Sequence, residues 1–173
     1  MDSLLLSDAG PLFSFAAGGL LDVLLNFELI ITDVVKMETI DRGSLPDPSY
    51  ESKQLATFYE SYADSIRIEP TQLGHLVGIP GAHAGELSVQ SMVIDLVGRS
   101  PGTKPALLFE DRWFIKNRAS FHPSCTLIST LAFLLYLERD GLIPSAMQAE
   151  AKIRLRRPHF LAERWVFRGG NMP

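Results

Sequence analysis

Five short apolar runs, spaced along the chain, constrain the fold more than any other feature. They are LLLS (Leu4–Ser7), ELII (residues 28–31), SIRIE (residues 65–69), ALLF (Ala106–Phe109) and TLI (residues 126–128). Each is bounded by turn or cap residues and is too short for a buried helix, so each reads as a strand. The stretches between them carry helical spacing. Leu55, Phe58, Tyr59 and Tyr62 fall at i, i+3, i+4 and i+7, and Val89, Met92, Val93, Leu96 and Val97 form a second stripe. Gly18 and Gly19 open LLDVLLNF, which is apolar on nearly every side and reads as a buried helix. Thr32 or Asp33 can cap a helix carrying Lys36 to Ile40, and residues 111–119 read as another. Thr130–Arg139 is an apolar helix stopped by Asp140 and Gly141. Ser145 with Gln148 is a capping box that opens a last helix, ended by Pro158. Strands alternating with helices predict an α/β fold around a mainly parallel sheet of four or five strands.

The 173 residues suit one domain with a sizeable core, and 46% apolar with 21% charged residues argues against disorder. One cysteine, Cys125, leaves no intrachain disulfide to form and suits a reducing compartment, so the cytoplasm is expected. Residues 3–31 are apolar, but Asp8, Pro11, Asp22 and Glu28 interrupt them and no basic stretch precedes them. They read as core, with no membrane span. Residues 150–173 hold six Lys or Arg against two Glu, which leaves the remainder at −8 within a net charge of −4. A basic end on an acidic body suits either a polyanion or plain solvation.

The acids are placed where such a sheet puts function, beyond the carboxyl ends of its strands. Asp8 terminates the first strand, and Glu38 follows the second on its helix. Glu86 opens the helix running to Leu96, and Glu110 and Asp111 end a later strand. Taken singly, Asp8 suits an Asx turn, Glu86 a first-turn position, Glu38 a solvated helix and the Glu110–Asp111 pair a strand end with a cap. Taken together, carboxylates gathered at one edge repel unless a cation neutralises them, and oxygen-only ligands favour Mg²⁺ or Mn²⁺.

LLLSDAGPL, ITDVVKMET, AGELSVQSM and LLFEDRWFIKN, in this order, resemble segments of the PIN-domain nucleases, more closely bacterial toxins of the VapC type. TLISTLAFLLYLERDGLIPSA is similar to that family's Thr-containing strand, apolar helix and Gly-Leu-Ile exit. The resemblance covers roughly residues 3–157. It implies a three-layer α/β/α domain over residues 1–157, with 158–173 a basic tail that has no counterpart. It also implies metal-dependent hydrolysis of RNA by a toxin ribonuclease with an antitoxin-like partner, and a homodimer. By position it assigns catalytic roles to Asp8, Glu38, Glu86 and Asp111, and metal binding to Asp8, Glu86 and Asp111 or Glu110, with Asp111 preferred. Glu86 departs from the Asp many relatives carry. Ser129 or Thr126 matches the polar group the family places beside the metal. A catalytically incomplete, partner-binding module is the competing reading.

Other groups carry less. His83 and Glu86 have i, i+3 spacing, but Gly85 starts a helix between them, so a shared metal is not expected. His75, His122 and His159 are the remaining histidines, and Cys125 reads as a buried small residue. Arg112, Lys116 and Arg118 flank the acids and suit either phosphate contacts or a solvated face.

Overall fold

The first strand, β1 (Leu4–Ser7), lies in the middle of the sheet. β2 (Glu28–Thr32) pairs on one side of it and β4 (Ala106–Phe109) on the other; β3 (Ile66–Glu69) lies outside β2, and β5 (Thr126–Ser129) outside β4. All four of these pairings are parallel. The structure, a computed structural model, describes residues 4–170. Leu5, Leu6, Leu29, Ile30, Ile31, Leu107, Leu108, Phe109 and Leu127 are buried, as strands covered on both faces require.

Helices cover both faces, giving a three-layer α/β/α arrangement. α1 (Ala9–Gly18) packs against α3 (Tyr50–Tyr62) and α7 (Ala146–Arg156), and α6 (Thr130–Arg139) packs beside α7. α2 (Asp33–Glu38) packs against α4 (Ala84–Arg99), which lies over β2. In α4, Val89, Met92, Val93 and Leu96 are buried, each contributing roughly 1.5–3 kcal/mol of apolar burial, while Val97 is half-buried. Leu55 and Phe58 of α3 enter the core, whereas Tyr59 is half-buried and Tyr62 exposed. Caps form as the residue types dictate: Thr32 Oγ1 accepts from the Val35 N–H and Ser145 Oγ from the Gln148 N–H. Among the described residues no helix is long and apolar enough to cross a membrane.

Three elements differ from the sequence expectation. LLDVLLNF is not an α-helix: Leu21–Asn26 forms a 3-10 helix that buries Leu21 and Leu24. Gly19, at φ 66°, has already ended α1 in the left-handed conformation, and only a short tight connection is left before β2. Residues 111–119 divide into α5 (Arg112–Lys116) and a 3-10 turn over Arg118–Ser120. Among the described residues the sheet has six strands, because β6 (Val166–Arg168) returns antiparallel to β5, pairing Leu127 with Phe167. The segment after Pro158 therefore covers the open edge of β5. Ser129 holds it there: its N–H donates to the Trp165 carbonyl, and its hydroxyl donates to the Glu163 carbonyl and accepts from the Trp165 N–H.

Candidate functional site

The chain leaves β1 towards β2 on one side and reaches β4 on the other, so the strand order reverses beside β1. Crevices beyond strand ends at such reversals are where open α/β sheets bind ligands. Asp8 and Glu110 stand there, each one residue past its strand, and the Asp8 N–H extends the ladder by donating to the Leu108 carbonyl at 3.1 Å. Asp8 occupies the position before α1, yet its carboxylate caps no helix N–H and is only 7% exposed. Its one local partner is the neighbouring Ala9 N–H, which closes no turn, so the Asx-turn reading does not hold.

Two glycines make room for the acids. A Cβ on Gly85 would stand 2.6 Å from Glu38 Oε2 and 3.4 Å from Asp8 Oδ1, so both carboxylates reach the same bare stretch of α4. A Cβ on Gly10 would meet Glu110 Cβ at 2.9 Å. Glu86 follows Gly85 in the first turn of α4, its carboxylate 3.5 Å from His83 Nδ1. Asp8, Glu38, Glu86, Glu110 and Asp111 line one cavity of about 400 Å³. Segments far apart in sequence thus deliver their acids to one edge of the sheet.

Electrostatics follow from this crowding. Burial, then the charge of Glu86, pushes the Asp8 carboxyl up to about 8, with Glu38 and Glu110 adding to the shift and the Ala9 N–H opposing it. Glu38 is also raised, by burial and then by Glu86, against the pull of Arg42. Glu110 is the compensated member. Its Oε1 accepts from Thr130 Oγ1 at 2.8 Å and its Oε2 from Arg157 Nη2 at 2.9 Å.

Asp111 is placed differently from its neighbour. It lines the cavity, but its Oδ1 accepts the Trp113 N–H at 2.7 Å as the cap of α5, and the residue is exposed. The geometry favours Glu110 over Asp111 for the place beside Asp8. Ser129 is turned to the segment after Pro158 and Thr126 pairs with Arg168, so Thr130 is the hydroxyl beside the acids. Arg112 pairs with Glu163, and Arg118 donates to the Ile115 carbonyl. Cys125 is buried and its thiol pushed up to about 12 by burial, which leaves it unreactive.

By donor type the cleft would suit a hard divalent cation. The donors are all oxygen, the glycine-lined floor is space a Cβ would fill, and the acids gather more negative charge than Arg157 offsets. Among the described residues no group of three or more His, Cys, Asp or Glu side chains is arranged, as it stands, to hold a metal ion. Three of the four innermost acids are Glu, whose long side chains permit the adjustment. A larger cavity, about 820 Å³, opens at the amino ends of β1 and β4, but its Arg67 and Arg99 are already committed to Glu28 and Glu69.

Sequence reasoning missed Arg157, Thr130 and His159, all at or beside the acids. Arg157 directly precedes the helix-ending Pro158, a position that carries no functional signal. Comparison of the chain with models of protein families, with curated proteins and with solved structures finds no match.

Proposed function

We propose that this protein is a ribonuclease dependent on Mg²⁺ or Mn²⁺, the toxin of a toxin–antitoxin pair. One observation carries the reading: Asp8, a buried aspartate that caps nothing, stands among Glu38, Glu86 and Glu110 at the sheet's reversal point, in excess of any cation nearby. Carboxylates gathered in this way either take up a proton, as Asp8 does below about pH 8, or are offset by a positive ligand. The order of the acidic motifs along the chain, which resembles that of PIN-domain nucleases, supports the same reading.

Asp8, Glu86 and Glu110 would hold the ion, with Asp111 at the rim. When bound, the ion polarises a scissile phosphate and makes water a stronger nucleophile. Glu38, whose carboxyl is held above its ordinary range by burial and then by Glu86, orients that water and accepts its proton on a carboxylate oxygen. Thr130 and Arg157 each hold one oxygen of Glu110 and so keep its carboxylate from swinging. Exposed Tyr62 on α3 and exposed Met147 and Leu155 on α7 supply apolar surface for an antitoxin-like partner or a second copy. The cytoplasm suits such a pair.

The test is a panel of cellular RNAs incubated with Mg²⁺, Mn²⁺ or chelator, comparing the natural protein with Asp8→Asn. Cleavage that needs the ion and Asp8 is expected. Cleavage surviving both chelator and substitution would end the mechanism. No cleavage in any condition favours a partner-binding module, a reading that the Arg157–Glu110 pair already neutralising one acid would suit.

A further inference from the structure

The acids are bordered on the α4 and α5 side by two aromatic rings. The His83 and Trp113 ring centroids lie 5.9 Å apart with the planes inclined at 33°. Each residue is tied to a cleft acid: the His83 ring through Nδ1, 3.5 Å from Glu86 Oε1, and Trp113 through its backbone N–H, which donates to Asp111 Oδ1. Trp113 is anchored from behind, edge-on to Phe114 and Phe121, both fully buried. His83 is anchored by nothing comparable, and its side chain is 48% exposed. It is also one of two non-glycine residues with positive φ among the described residues, at φ 50°. That conformation is unfavourable for a residue with a Cβ. A ring held out in solvent, in a strained backbone, beside a fixed indole does not serve the core.

We propose that His83 and Trp113 form a stacking platform for one unpaired base of an RNA strand whose phosphate enters the acidic cleft. The inference rests on the ribonuclease reading and deepens it, since it makes the substrate single-stranded at the site. A base within a duplex presents no open face, whereas every unpaired base does, and stacking on an aromatic side chain tolerates any sequence. The cleft acids alone offer no attraction to a base. The platform supplies the affinity for a neighbouring nucleotide that keeps the polyanion against an acidic edge.

The test uses full-length Asp8→Asn protein with Mg²⁺, so that no RNA is cut, in a Trp165→Phe background that leaves Trp113 the one fluorophore of its kind. Three probes of equal length are titrated: a single-stranded oligoribonucleotide, the same backbone with one abasic site at each position in turn, and the duplex. Single-stranded RNA should quench Trp113, and one abasic position should weaken binding about tenfold and abolish the quench. The duplex should leave Trp113 unchanged. His83→Asn and His83→Gly both tolerate positive φ, so they remove the ring without endangering the fold. Each should reduce single-strand affinity about tenfold and make all abasic probes equivalent. Equal binding of intact and abasic strands, unchanged Trp113 emission, or failure of every probe to bind overturns the platform. Base-dependent quenching, with no cleavage by the protein that keeps Asp8, upholds the platform and overturns the ribonuclease; cleavage by that protein without base-dependent quenching in the Asp8→Asn variant does the reverse.

Discussion

Glu38 Oε2 occupies the space beside Gly85 that a side chain would fill, 2.6 Å from where its Cβ would stand. Gly85→Ala should therefore separate fold from site. Alanine improves a helix by about 1 kcal/mol over glycine, and the atom it meets is the free end of a flexible side chain. Thermal stability in chelator should hold or rise, while affinity for Mg²⁺ or Mn²⁺ falls about tenfold or more as Glu38 and Asp8 are displaced. Scanning fluorimetry and calorimetric titration check the two halves. An unchanged metal affinity would show that Gly85 makes no room for an ion.

Asp8 gives the metal-free protein a distinctive pH dependence. Its carboxyl titrates near 8 in the folded chain against an ordinary 3.8, so between those values the folded state binds the extra proton. Stability should fall as pH rises from about 4 to about 8 and level off above, by about 6 kcal/mol at most. Asp8→Asn should flatten that slope and be the more stable protein at pH 8. Urea unfolding in chelator at stepped pH measures it, and parallel profiles for the two proteins would refute the burial of charge at Asp8.

A proton and a divalent ion compete for that same carboxylate. Metal affinity should rise with pH up to about 8, by as much as about tenfold per unit, with proton release on binding. Titration in buffers of different ionisation enthalpy counts the protons. Binding that is flat from about pH 6 to pH 8 would remove Asp8 from the ligand set.

Arg157→Met keeps the stem of the side chain and leaves Glu110 with Thr130 alone. The guanidinium is partly solvated, so the metal-free protein should lose about 1–3 kcal/mol rather than the larger cost of a fully buried pair. Added Mg²⁺ should restore more stability to this variant than to the natural protein, because the ion then supplies the missing charge. Equal metal stabilisation of both would place the ion away from Glu110.

Ser129→Ala removes a hydroxyl that both donates to and accepts from the returning strand. A loss of about 1–3 kcal/mol is expected, with faster tryptic cutting at Arg164 and Arg168. Proteolysis followed by mass spectrometry reads the cut sites.

Much of this was legible because strand ends announce themselves. An apolar run that stops at an acid places that acid beyond the sheet edge, which located Asp8 and the Glu110–Asp111 pair. Which of the two turns inward was not legible, since it depends on Asp111 being taken as the cap of α5. Arg157 is one of six cations in its region and is singled out only by where α7 ends against α1. β6 is three residues beside arginines, too short and too charged to read as a strand. LLDVLLNF had the composition of a buried helix but lacked the length to form one between Gly19 and β2.

The central position of β1 sets the order in which the protein can be made. β2 can cover one edge of LLLS soon after synthesis, but the other edge waits for β4, about a hundred residues later. At a translation rate of about 5–20 residues per second, that edge stays open for roughly 5–20 s. During that interval a flat apolar strand offers unpaired backbone to any passing chain. Asp8 cannot meet Glu110 until it closes, so the nascent protein has no complete cleft while most of it is already outside the ribosome. Slow, non-local assembly thus delays the site and exposes the chain to chaperones or aggregation in the same few seconds.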